Sequence, residues 1–329
     1  MKTIQTGLFI VLLSIASLVN ANVLTVYTYQ SFVSEWGPGP KLQENFEKRC
    51  SCQINWVGLD DGVSILNRLK LERAKTKADV VIGLDQNLLV EANKLGIFAE
   101  HQQDLSKLTL PVVWKNQQFI PYDYGFFAFI YNQERLKQPP LSFAELLADK
   151  KLKIIYQDPR TSTPGQGLML WLNAIYGNEK AQLQWQQLAD KTVTVTKGWT
   201  EAYGLFLKGE ADLVLSYTTS QAYHEVAEQD TRYKAAEFKE GHYPQIEVAG
   251  IIKGTQQATL AKQFLQFLLT PGAQQQIATH NWMLPVVDTK LPEGFNNIIK
   301  PKMVMPFTAE EVAQNRKLWI KQWRQAVVK

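Results

Sequence analysis

The chain has 329 residues, of which 35 are basic and 31 acidic, for a formal net charge of +4. The charge is scattered, and no basic run marks a nucleic-acid surface. Two cysteines rule out a disulfide-rich scaffold, and a chain this long builds a large core, more naturally in two lobes than in one.

The first stretch, 1–21, reads as a secretory signal peptide. Lys2 supplies a short positive start, Gly7 to Val19 an apolar core, and Val19-Asn20-Ala21 a small residue for cleavage near Ala21. It is too short to span a membrane, and no later stretch approaches eighteen consecutive apolar residues. The first cysteine is Cys50, so lipid attachment at the cleavage point is not expected. The product is expected to be soluble and exported.

Beyond it, strand-like and helix-like runs alternate. Strands are expected at 23–29 and 53–59, a helix at 63–74, a strand at 78–84, a helix at 86–95 and a strand at 119–131. A helix at 143–147 and a strand at 153–157 follow, then helices at 164–176 and 179–189. Strand 192–196, helix 200–207, strands 211–217 and 242–252, and helices 257–269 and 309–327 complete the chain. The alternation predicts α/β architecture with covered sheets. Val80-Val81-Ile82 and Leu213-Val214-Leu215 are continuously apolar, as central parallel strands are. The runs 119–131 and 242–252 exceed the usual strand length. Strands that cross between lobes have this length, and two crossings make a hinge. The expected division is lobe one from 22–125 and 248–329, and lobe two from 126–247. An exported, hinged, two-lobed α/β chain suggests a solute-binding protein.

The run from Ile154 to Trp171 passes from an apolar strand through a hydroxyl- and glycine-rich loop into an apolar helix. Thr163 reads as the N-cap and Pro164 as the first helical residue. Ser162, Thr163 and the free N–H groups of that turn are expected to face outward as an anion corner. Cys50 and Cys52 are spaced too closely for an unstrained ring. No further metal ligands stand beside them, and the four histidines are remote in sequence. A small bridge or a half-buried pair is the preferred reading.

Several segments together resemble a known family. They are Leu24 to Phe32 with Trp36 to Pro40, Asp61-Gly62-Val63-Ser64, Ala78 to Asp85, Pro121-Tyr-Asp-Tyr-Gly125, Tyr156 to Gly165, Thr194 to Trp199, and Leu215 to Ser220. In this order and spacing they resemble the periplasmic thiamine-binding proteins of Gram-negative ABC transporters, over the whole mature chain. The resemblance implies a type II periplasmic solute-binding fold and residence in the periplasm. It implies thiamine, thiamine monophosphate or thiamine diphosphate as transported ligand, with no cofactor, metal or catalysis. It also implies delivery to an inner-membrane permease driven by a cytoplasmic ATPase. A monomer is expected, because one closed unit suffices.

Carried over by motif, the ligand contacts fall on Asp61, Gly62, Ser162, Thr163, Trp199, Tyr217, Thr218, Thr219, Ser220 and Gln221. Tyr29, Trp36, Tyr223 and Trp282 are expected as aromatic walls. Position 221 is glutamine where the family pattern carries proline. Thiamine joins a permanent thiazolium cation to an aminopyrimidine, so its site needs aromatic faces and a carboxylate. Asp61 alone would read as a helix-capping residue, and the resemblance turns it into a ligand contact. Asp60 and Asp85 are lesser candidates, and Lys197 and Arg160 equally fit a solvated role. Trp171, Trp185, Trp319 and Trp323 lie on helical stripes and are assigned to the core. Two rivals remain at this point. A thiamine-cleaving transferase of similar fold needs a cysteine nucleophile in the cleft. A polyamine binder shares aromatics and carboxylates but has no use for the hydroxyl-rich loop.

Overall fold

Ten strands form one mixed sheet in the computed structural model, which describes residues 22–327. The expected signal peptide lies outside the described residues. In chain order the first elements are β1 (Asn22–Tyr29), α1 (Gln30–Val33), α2 (Pro38–Cys50), β2 (Cys52–Leu59), α3 (Gly62–Glu72), β3 (Val80–Asp85) and α4 (Leu89–Asn93). Next come β4 (Phe119–Asn132), α5 (Phe143–Ala148), β5 (Ile154–Gln157), α6 (Thr163–Ala189), β6 (Thr192–Thr196), α7 (Trp199–Leu207), β7 (Leu213–Tyr217) and α8 (Ser220–Ala227). The chain closes with β8 (Tyr233–Ala235), β9 (Pro244–Ile251), α9 (Ala258–Leu268), α10 (Pro271–His280), β10 (Leu284–Pro285) and α11 (Ala309–Val327).

The sheet runs β2-β1-β3-β9-β4-β7-β5-β6. Strand β4 joins its two halves: Phe119–Phe126 pairs with β9, and Phe127–Tyr131 pairs with β7. At fourteen residues it is long enough for both roles. The second expected crossing is shorter as a strand, because β9 starts at Pro244; beside it, Phe127 N donates to Tyr243 O at 3.0 Å. Strands β3 and β7 are central and buried, and each has one parallel and one antiparallel neighbour rather than two parallel ones.

Two large apolar cores follow from this division. One packs β1, β3 and β9 with α2, α3 and α9. The other packs β5, β7 and the second half of β4 with α5 and α6, around Trp171 and Trp185. The terminal helix departs from the expected division, which placed 248–329 in lobe one. Its Val312, Trp319, Trp323 and Ala326 pack in the second core. Trp323 Nε1 donates to Tyr156 Oη at 3.1 Å there, while Arg316 reaches back to Glu91 at 3.0 Å.

Four helices escape the sequence reading, the first of them α1, a single turn of four residues. Helix α2 offers only Leu42 and Phe46, four residues apart, as a fully apolar stripe, and α8 has eight residues. Helix α10 is signalled by its N-cap Thr270 and by Pro271. Helix α6 consists of two segments meeting at Gly177, whose φ of 73° breaks the helical run between the two helices expected there.

Two buried histidines tie the second half together. His242 Nε2 accepts from Phe238 N at 3.0 Å, so its proton sits on Nδ1, which donates to Phe127 O at 2.7 Å. His224 bonds Tyr203 Oη at 2.8 Å. Burial lowers both imidazoles to about 4. A folded-state value below the unfolded one contributes stability that is lost as pH falls from about 6.5 towards about 4. NMR titration is expected to show the His224 and His242 ring carbons unmoved above about pH 5, and movement near pH 6.5 would contradict their burial in neutral form.

Candidate functional site

A cavity of about 720 Å³ lies between the two halves of the sheet, at the carboxyl ends of β1, β2, β5 and β7. Its polar floor begins at Asp61, the N-cap of α3, whose Oδ1 accepts from Gly62 N at 2.6 Å. The same carboxylate reaches across to the start of α6. It accepts from Ser162 Oγ at 2.9 Å, Thr163 Oγ1 at 3.1 Å and Thr163 N at 3.2 Å. One carboxylate therefore caps one helix and fills the N-terminal corner of another. Burial raises the Asp61 carboxyl above its ordinary range, and these donors offset part of the rise.

The anion corner expected at Ser162–Gly167 is thus occupied by the protein's own anion. Ser162, not Thr163, is the N-cap of α6, and its Oγ accepts from Gly165 N at 3.3 Å. The two glycines serve packing. A Cβ at Gly165 would strike the backbone of Gln157 and Asp158, and one at Gly167 would overlap the Phe127 ring. Neither glycine lines the cavity.

A second acid, Glu247 on β9, lines the cavity beside Asp61. Its Oε2 accepts from Tyr29 Oη and Tyr122 Oη, each at 2.7 Å. Asn281 Nδ2, just after α10, donates to Tyr29 Oη at 2.9 Å and to Asp123 Oδ2 at 2.7 Å. Gln245 links the acids: its Nε2 donates to Thr163 Oγ1 at 3.2 Å and Glu247 Oε1 at 3.3 Å, and its Oε1 accepts from Tyr217 Oη at 2.7 Å.

Aromatic rings form the walls. Trp199 stacks on Tyr203 with centroids 4.7 Å apart, and Trp36 approaches Trp199 at 6.1 Å. Trp199 Nε1 donates to Ser216 Oγ at 2.8 Å, which fixes the indole plane. On another side Tyr223 meets Trp282 edge-on at 5.4 Å, and Trp282 stacks on Phe295 at 6.1 Å. Trp282 holds a φ of 56°, a left-handed backbone that costs a bulky residue of order 1–3 kcal/mol. The strain sits at a cavity-facing ring. Among the described residues lining the cavity are Glu35, Asp61, Glu228 and Glu247, and no lysine or arginine.

The structure thus brings Tyr29, Trp36, Asp61, Thr163, Trp199, Tyr217, Ser220, Tyr223 and Trp282 to one cavity. It places five other expected residues off the cavity surface. Ser162 and Gly62 are buried behind Asp61, and a Cβ on Gly62 would sit 2.6 Å from Thr163 Cγ2. Thr218 and Thr219 are fully buried, with Thr218 N donating to Phe126 O at 2.9 Å. Gln221 points away, its Nε2 donating to Glu225 Oε1 and Asn297 O, both at 2.9 Å. Of the lesser candidates, Asp85 is buried and bonds Asn87 N at 2.9 Å, and Arg160 pairs with Asp158 at 2.6 Å. Glu247, Asp123, Asn281 and Tyr203 escape the sequence reading. The available signal was an acid between Ile246 and Val248 in an otherwise uncharged strand.

Cys50 and Cys52 form a disulfide at the turn from α2 to β2. Neither is a free thiol, and neither lines the cavity. That removes the nucleophile a thiamine-cleaving transferase needs.

Comparisons with known proteins agree with this architecture. The profile of the bacterial extracellular solute-binding proteins matches residues 27–275. A thiamine-binding periplasmic protein of Escherichia coli is 54% identical over 306 residues, covering 93% of each chain. One of Haemophilus influenzae is 44% identical over 329 residues, covering 99% of this chain and 98% of the other. A solved periplasmic thiamin binding protein superposes with a TM-score of 0.92 at 53% identity, covering 94% of this chain and 97% of that one. The ferric binding protein of Campylobacter jejuni shares the fold at a TM-score of 0.75 and 18% identity. On these matches the chain belongs to the bacterial extracellular solute-binding protein family, in the company of its thiamine-binding periplasmic members.

Proposed function

We propose that this protein captures thiamine and its phosphate esters in the periplasm and hands them to an ABC importer. The observation that carries the reading is the cavity: aromatic walls over a carboxylate floor, with no lysine or arginine among the described residues that line it. A thiazolium ring gains about 0.5–2 kcal/mol from each well-placed aromatic face. Glu247 and Asp61 balance its charge and accept from the aminopyrimidine. The hydroxyethyl arm, with or without phosphate, runs towards the hydroxyls of Thr163 and Ser220. A solute that is only an anion finds no cation here to pair with.

Residues 22–125 and 248–308 on one side, and 126–247 on the other, act as lobes that close on the ligand about β4 and β9, and α11 rides on the second. Closure joins Asp61 to Thr163 and Trp36 to Trp199, so ligand binding shifts the population towards the joined form. The joined form is what an inner-membrane permease with its cytoplasmic ATPase reads. The protein works as a monomer, exported by cleavage near Ala21.

Mass spectrometry of the small molecule released from protein purified without added vitamin tests the identity of the ligand. Thiamine or a thiamine phosphate is expected; a polyamine or a phosphonate would overturn the reading. Replacing Trp199 with alanine removes one aromatic face. It is expected to weaken thiamine and both phosphates alike, by roughly 2–30-fold in isothermal titration. A loss confined to one form would place Trp199 at the arm rather than at the rings.

A further inference from the structure

Three acids stand in one cross-strand row. Asp85 on β3 pairs in register with Glu247 on β9, and Glu247 pairs with Asp123 on β4. Opposed residues of an antiparallel ladder share a face, and like charges in that position destabilise the sheet. All three are buried, and the donors that reach them are neutral: Tyr29, Tyr122, Asn281, Gln245 and Asn87. Asp123 Oδ1 is buried without a donor of its own, and a single amide nitrogen, Asn281 Nδ2, reaches both carboxyls, Asp123 Oδ2 at 2.7 Å and Glu247 Oε2 at 3.3 Å. Two bare carboxylates crowded on one donor repel, whereas a proton between them supplies the missing donor.

We propose that Asp123 and Glu247 hold one proton between them and exchange it for the ligand's cation. Glu247 faces the cavity; Asp123 lies behind it and does not line it. The thiazolium seats against Glu247, the pair becomes fully ionised, and the proton leaves to water. One positive charge enters as one departs. The exchange rests on the thiamine reading above.

The surroundings favour this. Burial raises the Asp123 carboxyl well above the carboxylate range, and the charge of Glu247 raises it further. Burial raises Glu247 too, with Tyr29 and Tyr122 as opposing donors. The groups facing the pair are Tyr29 from β1, Tyr122 from β4, Asp85 from β3, Tyr217 from β7, Asp61 before α3 and Asn281 after α10. Burial and the neighbouring acids hold the three tyrosines protonated, so they do not supply the proton. Asp85, raised to about 7 by burial, is tied to Asn87 and does not line the cavity.

Isothermal titration of thiamine in two buffers of different ionisation heat, from about pH 6 to about pH 8, tests the exchange. The expected result is release of a substantial fraction of one proton, with affinity rising as pH rises, by up to about tenfold per unit. In Asp123→Asn an amide donates to Glu247 in place of the shared proton, and both the release and the pH dependence should vanish. Comparing the two proteins removes the aminopyrimidine's own titration. Binding by the wild type with equal heats in both buffers, or unchanged release in the variant, overturns the exchange alone. Failure of thiamine to bind overturns the thiamine reading with it. Should Asp123→Asn not fold, infrared spectra of the wild type decide. A carboxylic-acid band at neutral pH that thiamine abolishes is expected, and one that persists overturns the exchange.

Discussion

Thiamine affinity is expected to fall at least ~100-fold when Asp61 is replaced by alanine. Asp61 is expected to carry three roles at once. It caps α3, it holds Ser162 and Thr163 across the cleft, and it presents charge to the cavity. A hydrogen bond to a charged group is worth about 1.5–3 kcal/mol, and three such bonds join the halves here. Loss of the cap costs stability of about 1 kcal/mol. Isothermal titration separates the affinity loss from the stability loss, which thermal melting reads. Asp61→Asn keeps an oxygen acceptor for Gly62 N and removes the charge. It should recover most of the melting temperature and little of the affinity. Recovery of both would mean that the charge of Asp61 is irrelevant to the ligand.

The second large effect is expected at a glycine whose role is contact rather than conformation. Gly198 has an extended backbone, φ −151°, that any residue adopts. A Cβ there would lie 2.7 Å from Asp60 O, across the cleft from its own half. Gly198→Ala should therefore fold normally, with little change in denaturant midpoint, while holding the halves apart beside Trp199 and Asp61. Overpacking of this kind costs about 1–3 kcal/mol, which here falls on the joined form and lowers thiamine affinity about 5–150-fold. Small-angle scattering at saturating thiamine should show a larger radius than wild type. An unchanged affinity would mean that the contact relaxes freely and that closure does not pass through this point.

Much of the fold is legible in the chain because local patterns decide it. Continuous apolar runs mark β3 and β7, and the length of β4 betrays its double pairing. Helix α2 is harder, since most of its residues are polar and Leu42 and Phe46 are its two buried members of the first core. The docking of α11 on the second core is a long-range choice that chain order does not encode.

The site divides in the same way. Tyr29, Asp61, Trp199 and Tyr217 stand at or just beyond strand ends, where α/β sheets gather ligands, and they meet at the cavity. The hydroxyl-rich stretches are less transparent. Composition alone does not distinguish a hydroxyl that faces a ligand from one that caps a helix, and Ser162 caps α6 while Thr218 and Thr219 turn inward. Glu247 and Asp123 are single acids in apolar strands. Their meaning comes from a register between residues 124 positions apart, visible only once β4 and β9 pair. The same pairing explains how the cavity suits a cation although the chain as a whole is basic.

Direct titration of thiamine into the purified protein tests the central claim most plainly. One saturable site per chain with a dissociation constant below about 1 μM is expected, corresponding to more than about 8 kcal/mol of binding free energy. No binding heat at micromolar thiamine, and no displacement of thiamine-site ligand by it, would contradict the account.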